Sequence, residues 1–233
     1  MTAGIEAILW VAIFAGDADG LINGFDRSHY LAYVLLAAFT ARVSANWMYE
    51  YRMMKEIETG TVNALLVRPI SFFSAYLNQF LGYKFITTAL SLWVPLLAIK
   101  CFGLPVHLER LPVLLVMVMT YLVLLHQLSF CVASMAFHLT KVQSLIAAKN
   151  LTFWFLSGEL FPLDLLPEPW RMWITALPFC NGVYVPVGYV TGRLEFDAVL
   201  SGWFSVVVGI VVMMPVCQWV WNRGMRSYVG TGA

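Results

Sequence analysis

The chain has 233 residues, 61% of them hydrophobic and 12% charged, with a formal net charge of +1. That composition excludes a water-solvated globule and makes bilayer hydrocarbon the solvent, and so small a net charge argues against a nucleic-acid partner. Cys101, Cys131, Cys180 and Cys217 show no CxxC spacing, which removes the usual zinc and dithiol patterns; they read as small buried hydrophobes, with a Cys101–Cys180 disulfide near the outer face as the alternative.

The opening stretch, Gly4 to Gly16, is apolar, lacks a basic flank and is followed by no small-residue cleavage site, which argues against a cleavable signal peptide. About 20 residues are needed to cross the hydrocarbon core. Only 16 precede Asp17, with Glu6 among them, so this reads as a span that is short or truncated at its N-terminus. Five further apolar runs follow: Tyr30 to Met48, Phe85 to Phe102, Pro112 to Phe137, Val142 to Phe161 and Val199 to Trp221. All six predict helices, because a helix satisfies its own backbone hydrogen bonds in lipid. The runs are continuous rather than alternating, which excludes a barrel.

Lys and Arg on alternate sides set the orientation. One side receives Arg42, Arg52, Lys55, Arg68, Lys84, Lys141, Lys149, Arg223 and Arg226, and the other Arg27, Lys100, Arg110, Arg171 and Arg193. Nine against five predicts that both termini and the segment Met48 to Lys84 are cytoplasmic, with the Asp17, Asp19 and Asp26 loop outside. A single transmembrane domain over residues 1–233 is the simplest organisation, since the chain shows no internal repeat.

The long charged interruption, Met48 to Lys84, predicts a helix, a break, a short helix, a second break and another helix. Trp47, Tyr51 and Met54 keep helical spacing, while Glu50, Arg52, Lys55, Glu56 and Glu58 supply a charged face. Gly60 ends that helix, and Thr61 is placed to cap a short turn over Val62 to Val67. Arg68-Pro69 ends the turn, because the residue before a proline is pushed away from helix. Ser71 then offers an N-cap for Phe72 to Lys84. An ordinary solvated loop would explain the charges but not the apolar cluster Leu65, Leu66 and Val67 between two breaks.

Ionisable and polar residues inside the spans need an explanation. Arg42, Lys100 and Glu159 lie near span ends and can snorkel. His126, beside Gln127 and Ser129, either lines a polar path or bonds a neighbouring helix. Lys149, with Asn150 and Thr152, sits about 12 Å past Lys141 along a helix; it either snorkels to the boundary or faces inward at a subunit interface. His126, Lys149 and Asn150 are thus the candidates for a translocation path.

Beyond the fifth run, the segment Pro162 to Asp197 is patterned. Pro167 and Pro169 open a helix in which Leu166, Trp170, Trp173, Ile174 and Leu177 recur at helical spacing until Pro178 stops it, with Glu168 and Arg171 on the other side. This predicts an amphipathic element lying at or dipping into the outer interface.

No GxxxxGK[ST] run occurs, so the chain by itself has no P-loop for ATP, and the four histidines, His29, His107, His126 and His138, include no HExxH. No catalytic or metal-binding set emerges.

The run EIETGTVNALLVRPIS, from Glu56 to Ser71, resembles the cytoplasmic loop of type-2 ATP-binding-cassette exporter permeases, in particular the small six-span subfamily of bacterial multidrug or viologen-type exporters. GELFPLDLLPEPWRMWITALPF is similar to that superfamily's outer re-entrant element, with Pro162, Pro167, Trp170, Trp173 and Pro178 at the matching places. The resemblance runs from about Gly24 to Arg226. It implies a half-size permease in a bacterial inner membrane, paired with an identical or homologous second permease and two copies of a cytoplasmic ATPase. ATP and magnesium would bind in the ATPase, and no cofactor directly in this chain. Glu56, Glu58, Gly60, Leu65, Leu66, Arg68 and Pro69 would then form the coupling element, with Leu65 and Leu66 filling an ATPase groove and the charges setting orientation. Family members usually begin with an amphipathic interfacial helix and a fuller first span, and this chain departs from that pattern.

The function expected is export of hydrophobic or amphiphilic small molecules, with a lipid or lipid-linked glycan as the alternative cargo. An integral-membrane transferase would need clustered His, Asp or Glu at the membrane surface, which is not evident. A non-transporting scaffold for the same ATPase remains the third reading.

Overall fold

The computed structural model describes residues 8–9, 11–14, 21–44, 47–139 and 141–228, apart from the side chains of Trp47, Met48 and Leu66. Lipid offers no partner for backbone N–H and C=O groups, and the described residues answer with helices. These are α1 (Arg27–Ser44), α2 (Trp47–Glu58), α3 (Asn63–Leu66), α4 (Phe72–Ser91), α5 (Trp93–Phe102), α6 (Leu111–Ser134), α7 (Val142–Leu156), α8 (Glu168–Ala176), α9 (Tyr184–Val190) and α10 (Phe196–Ser227). Among the described residues the only strand-like pairing is an isolated bridge between Ile22 and Phe25. Four stretches among them are long and apolar enough to cross a membrane: Arg27–Glu58, Phe72–Phe102, Leu108–Phe137 and Phe196–Ser227. The chain is an all-α, polytopic membrane protein.

Burial sorts these stretches into inner and outer ones. In the most apolar window, 57% of Arg27–Glu58 and 50% of Leu108–Phe137 is buried, against 6% of Phe72–Phe102 and 17% of Phe196–Ser227. The first two stretches therefore supply the core and the last two turn apolar surface outward, where lipid can solvate it. At one end of α1 the core gathers Tyr30, Tyr33, Leu163, Cys180 and Tyr184; at the end formed by α2 and the start of α4 it gathers Met53, Ile57, Val62, Tyr76 and Phe130.

Proline and glycine set the interruptions. Pro95 has no N–H to return to the Ser91 carbonyl, and the long hydrophobic helix is divided at Leu92 into α4 and α5. Gly103, at φ +57°, closes α5 with its N–H on the Ile99 carbonyl. Pro112 stands in the first turn of α6, where a missing donor costs nothing.

One expectation lies largely outside the described residues, and one changes. The opening run, Gly4 to Gly16, falls largely outside the described residues; its Phe14 packs on Tyr30, with ring centroids 5.6 Å apart. The fifth run, expected as a span from Val142 to Phe161, ends at Leu156. At 15 residues and 1.5 Å per residue, α7 is about 22 Å long. Gly158 explains the stop: its φ is +80°, and a Cβ there would sit 2.7 Å from Tyr184 Cβ. The chain turns at this glycine into the short element of α8 and α9.

Candidate functional site

The segment between α2 and α4 folds as its punctuation predicts. Gly60 adopts φ +73°, which L-residues resist. The Val62 N–H reaches back to the Glu56 carbonyl at 3.0 Å, and α3 follows at once. Ser71 accepts the Ser74 N–H at 3.4 Å, capping α4. Thr61, expected to cap α3, instead donates to the Glu56 carbonyl at 3.3 Å. Val62 holds the cap position without a side-chain bond, since Thr61 lies one residue too early.

The faces of this segment differ from expectation at three residues. Leu65, expected as a docking knob, is half-buried and packs on the protein's own Met53, Ile57 and Val62 cluster. Val67 is the apolar residue that stands out, at 84% exposed, with Arg68, Pro69 and Ile70 exposed beside it. The Leu66 side chain lies outside what the structure describes. Glu56 is engaged within the chain, accepting the Tyr76 hydroxyl at 2.5 Å and Arg52 at 2.7 Å. Glu58 is half-buried at the end of α2.

Glu50 is the larger correction. Expected on the solvated face of α2, it is fully buried and pairs with Lys149 of α7, and both bond the Ser129 hydroxyl of α6. Three helices thus meet on one carboxylate. Removing a carboxylate from water is costly unless a counter-charge and hydrogen bonds accompany it, and Lys149 and Ser129 supply both. The Lys149 ammonium also lies 5.4 Å from the centre of the Phe153 ring. A sequence signal for this existed: Glu50, Met53, Met54 and Ile57 share one helical face, and the last three are buried.

The three residues expected on a translocation path are not brought together. Lys149 faces Glu50, whereas its neighbour Asn150 lines a cavity of about 60 Å³ with Ser44, Tyr121, Trp154 and Glu159. The Asn150 amide nitrogen has no partner there among the described residues. His126 is buried between Tyr49 and Phe80, which stack on it at 5.3 and 6.3 Å, and its Nε2 lies 3.2 Å from the Phe73 carbonyl. Of its two readings, the bond to a neighbouring helix is the one the structure shows.

At the other end of α1, the predicted amphipathic helix forms as α8, led by Pro167. Trp170 and Trp173 are exposed on it, while Ile174 packs inward. Pro162 is buried just before the Leu163–Leu165 turn, and Pro178 opens the Pro178–Gly182 turn. The element is fastened by residues that sequence reasoning did not single out. Asp164 pairs with Arg193 at 2.5 Å, and the Arg193 side chain, 1% exposed, lies 4.1 and 4.5 Å from the Phe25 and Tyr30 ring centres. Tyr33 donates to the Gly158 carbonyl at 2.6 Å, fixing the turn. Cys180 is buried and Cys101 exposed, both as free thiols, so the alternative disulfide is not formed. Asp26, ahead of α1, accepts the His29 N–H at 3.0 Å, and this bond first of all holds its carboxyl below the ordinary 3.8, at about 2.

No group of three or more His, Cys, Asp or Glu among the described residues is placed to hold a metal ion. The described residues thus present an exposed tip, a helix joined to the core through buried charge, and a short helical element at the far end. No curated protein matches the chain. Residues 1–232 match the family described as ABC-2 family transporter protein. With its helices and its exposed inter-helical tip already described, the chain belongs to the ABC-2 transporter family and is the membrane-spanning permease component of an ATP-binding-cassette transporter, a family that works with a partner ATPase.

Proposed function

We propose that this permease exports hydrophobic or amphiphilic small molecules from the cytoplasm or the inner leaflet of a bacterial inner membrane, with both termini cytoplasmic. It works as one of two permeases, identical or homologous, on two copies of the ATPase, which bind the ATP and magnesium.

The observation that carries this reading is the exposed tip from Val67 to Ile70, set between helices tied into the core. Apolar side chains held in water at a rigid turn favour a partner surface, and Arg68 beside them gives that contact an orientation. A displacement of the tip reaches α2 through the Val62–Glu56 backbone bond and α4 through Tyr76–Glu56. From α2 it passes through Glu50 to Lys149 on α7 and Ser129 on α6. The coupling contact is therefore assigned to Val67, Arg68, Pro69 and Ile70, with Gly60 as the turn that presents them and Leu65 as its inner support. The cargo path runs beside α1 and α7, where Asn150 presents an unpartnered amide to the small cavity.

The test is co-purification with the ATPase encoded beside the permease, followed by ATP-dependent efflux of ethidium, for the wild type, Val67→Asp and Gly60→Pro. Both variants should insert in the membrane and lose ATPase binding or ethidium-stimulated hydrolysis. Full efflux by both variants would overturn the reading, as would a chain that never binds an ATPase.

A further inference from the structure

A second, larger cavity lies away from the proposed path, among the start of α4 and the last thirds of α6 and α10. Its volume is about 470 Å³, within the range of about 300 to 1,000 Å³ common for small-molecule sites. Phe72, Phe130 and Trp221 form a continuous aromatic wall, with the Phe72 and Phe130 ring centroids 4.9 and 5.1 Å from that of Trp221. At the wall between α6 and α10, the Cys217 thiol donates to the Gln127 backbone carbonyl at 3.0 Å.

Gln127 lines this cavity, is 2% exposed, and has a side-chain oxygen with no partner among the described residues. A buried amide left unbonded costs free energy that a bound donor would recover. Gln218, Asn222, Ser71 and Ser74 add further neutral polar groups. Amides and hydroxyls offer donors and acceptors together, which matches a head that also does both. Among the described residues no Lys, Arg, Asp, Glu or His lines the cavity, so a carboxylate or ammonium head would be desolvated without a counter-charge.

We propose that this cavity binds an uncharged amphiphile, whose hydroxyl or amide head bonds Gln127 and whose apolar body lies against Phe72, Phe130 and Trp221. Its rim includes Ile70 and Ser71, so the occupant also touches the segment that leaves the exposed tip. It shares no lining residue with the small cavity beside Asn150.

The experiment uses the full chain in detergent and a 1-monoacylglycerol carrying a diazirine in its acyl chain. After photolysis, the label should map to residues 70–74 and 214–222, and unlabelled 1-monooleoylglycerol should displace it while oleate and oleylamine do not. Gln127→Leu removes one hydrogen bond to the probe and should weaken labelling about fivefold; because the side-chain oxygen has no partner among the described residues, the fold is spared. Ser74→Trp, at an exposed position on the rim, should block entry. Labelling spread over the outer faces of α4, α5 and α10, unchanged by both substitutions, would overturn the proposal, as would equal displacement by oleate. In the complex with its ATPase, release of the probe during ATP turnover identifies the occupant as a transported solute, and retention identifies it as a resident lipid; each outcome upholds the site.

Discussion

Glu50 and Lys149, 99 residues apart in sequence, form a buried ion pair that joins the helix behind the exposed tip to the helix that ends at the Gly158 turn. Ser129 completes it from α6. A buried pair of this kind adds little net stability compared with apolar residues of the same size, but it strongly penalises any state in which only one partner remains. It therefore acts on geometry: α2 and α7 either move together or separate at large cost.

Breaking the pair from one side should be severe. Glu50→Ala and Lys149→Met are each expected to cost about 3–5 kcal/mol, read as a lower thermal midpoint of the solubilised chain. The double substitution should cost clearly less than the sum, and strict additivity in that cycle would show that the two side chains do not interact.

The exposed tip should separate stability from partner binding. Val67→Asp sits at 84% exposure and should change stability by no more than about 0.5 kcal/mol, yet lower ATPase affinity. Leu65→Asp places a charge against Met53, Ile57 and Val62 and should reduce stability itself. The two effects are distinguished by measuring thermal midpoint and ATPase pull-down on the same preparations.

Gly158 and Gly103 test crowding against backbone strain. Both have positive φ, but a Cβ at Gly158 would meet Tyr184 Cβ at 2.7 Å whereas nothing lies within 4 Å of one at Gly103. Gly103→Ala should cost about 1–2 kcal/mol from the left-handed conformation alone. Gly158→Ala should cost more and release the turn that Tyr33 holds, which limited proteolysis of the solubilised chain would report.

Asp26 predicts an acid dependence. Its folded value is depressed to about 2 from 3.8, so the stability it contributes is present above the unfolded value and disappears as pH falls through the folded one. Asp26→Ala should cost about 1 kcal/mol near neutrality, as loss of an N-cap does. Asp26→Asn should keep most of the cap while flattening the stability profile between about pH 4 and 2, followed by circular dichroism.

What could be read in advance follows from how local each signal is. The apolar runs and the breaks at Gly60 and Pro69 are local, and lipid leaves such runs few alternatives to helix. Glu50 was misplaced because its neighbours Arg52, Lys55 and Glu56 drew it to the charged face, although its spacing to Met53, Met54 and Ile57 set it among buried residues. Lys149 admits two readings because its counter-charge lies five helices earlier in the chain. The stop at Gly158 was hidden because the sequence stays apolar to Phe161. Arg193 and Asp164 carried no motif at all, since their roles arise from the aromatic rings that the fold brings around them.

The Asp164–Arg193 contact closes a loop of 29 residues at its two feet, before α8 and after α9. Of the crest between them, only the outer face of α8, with Trp170 and Trp173, is thereby freed from the task of positioning the rest of the chain, because Cys180, Val183, Tyr184 and Val187 are core residues. Changes of length or sequence there alter the closure entropy only slowly. Over evolutionary time such an arrangement separates inheritance of the anchor from inheritance of the crest. A crest grafted from a relative onto this scaffold should need the two feet, the aromatic seat beneath Arg193 and the buried residues from Cys180 to Val190 to match.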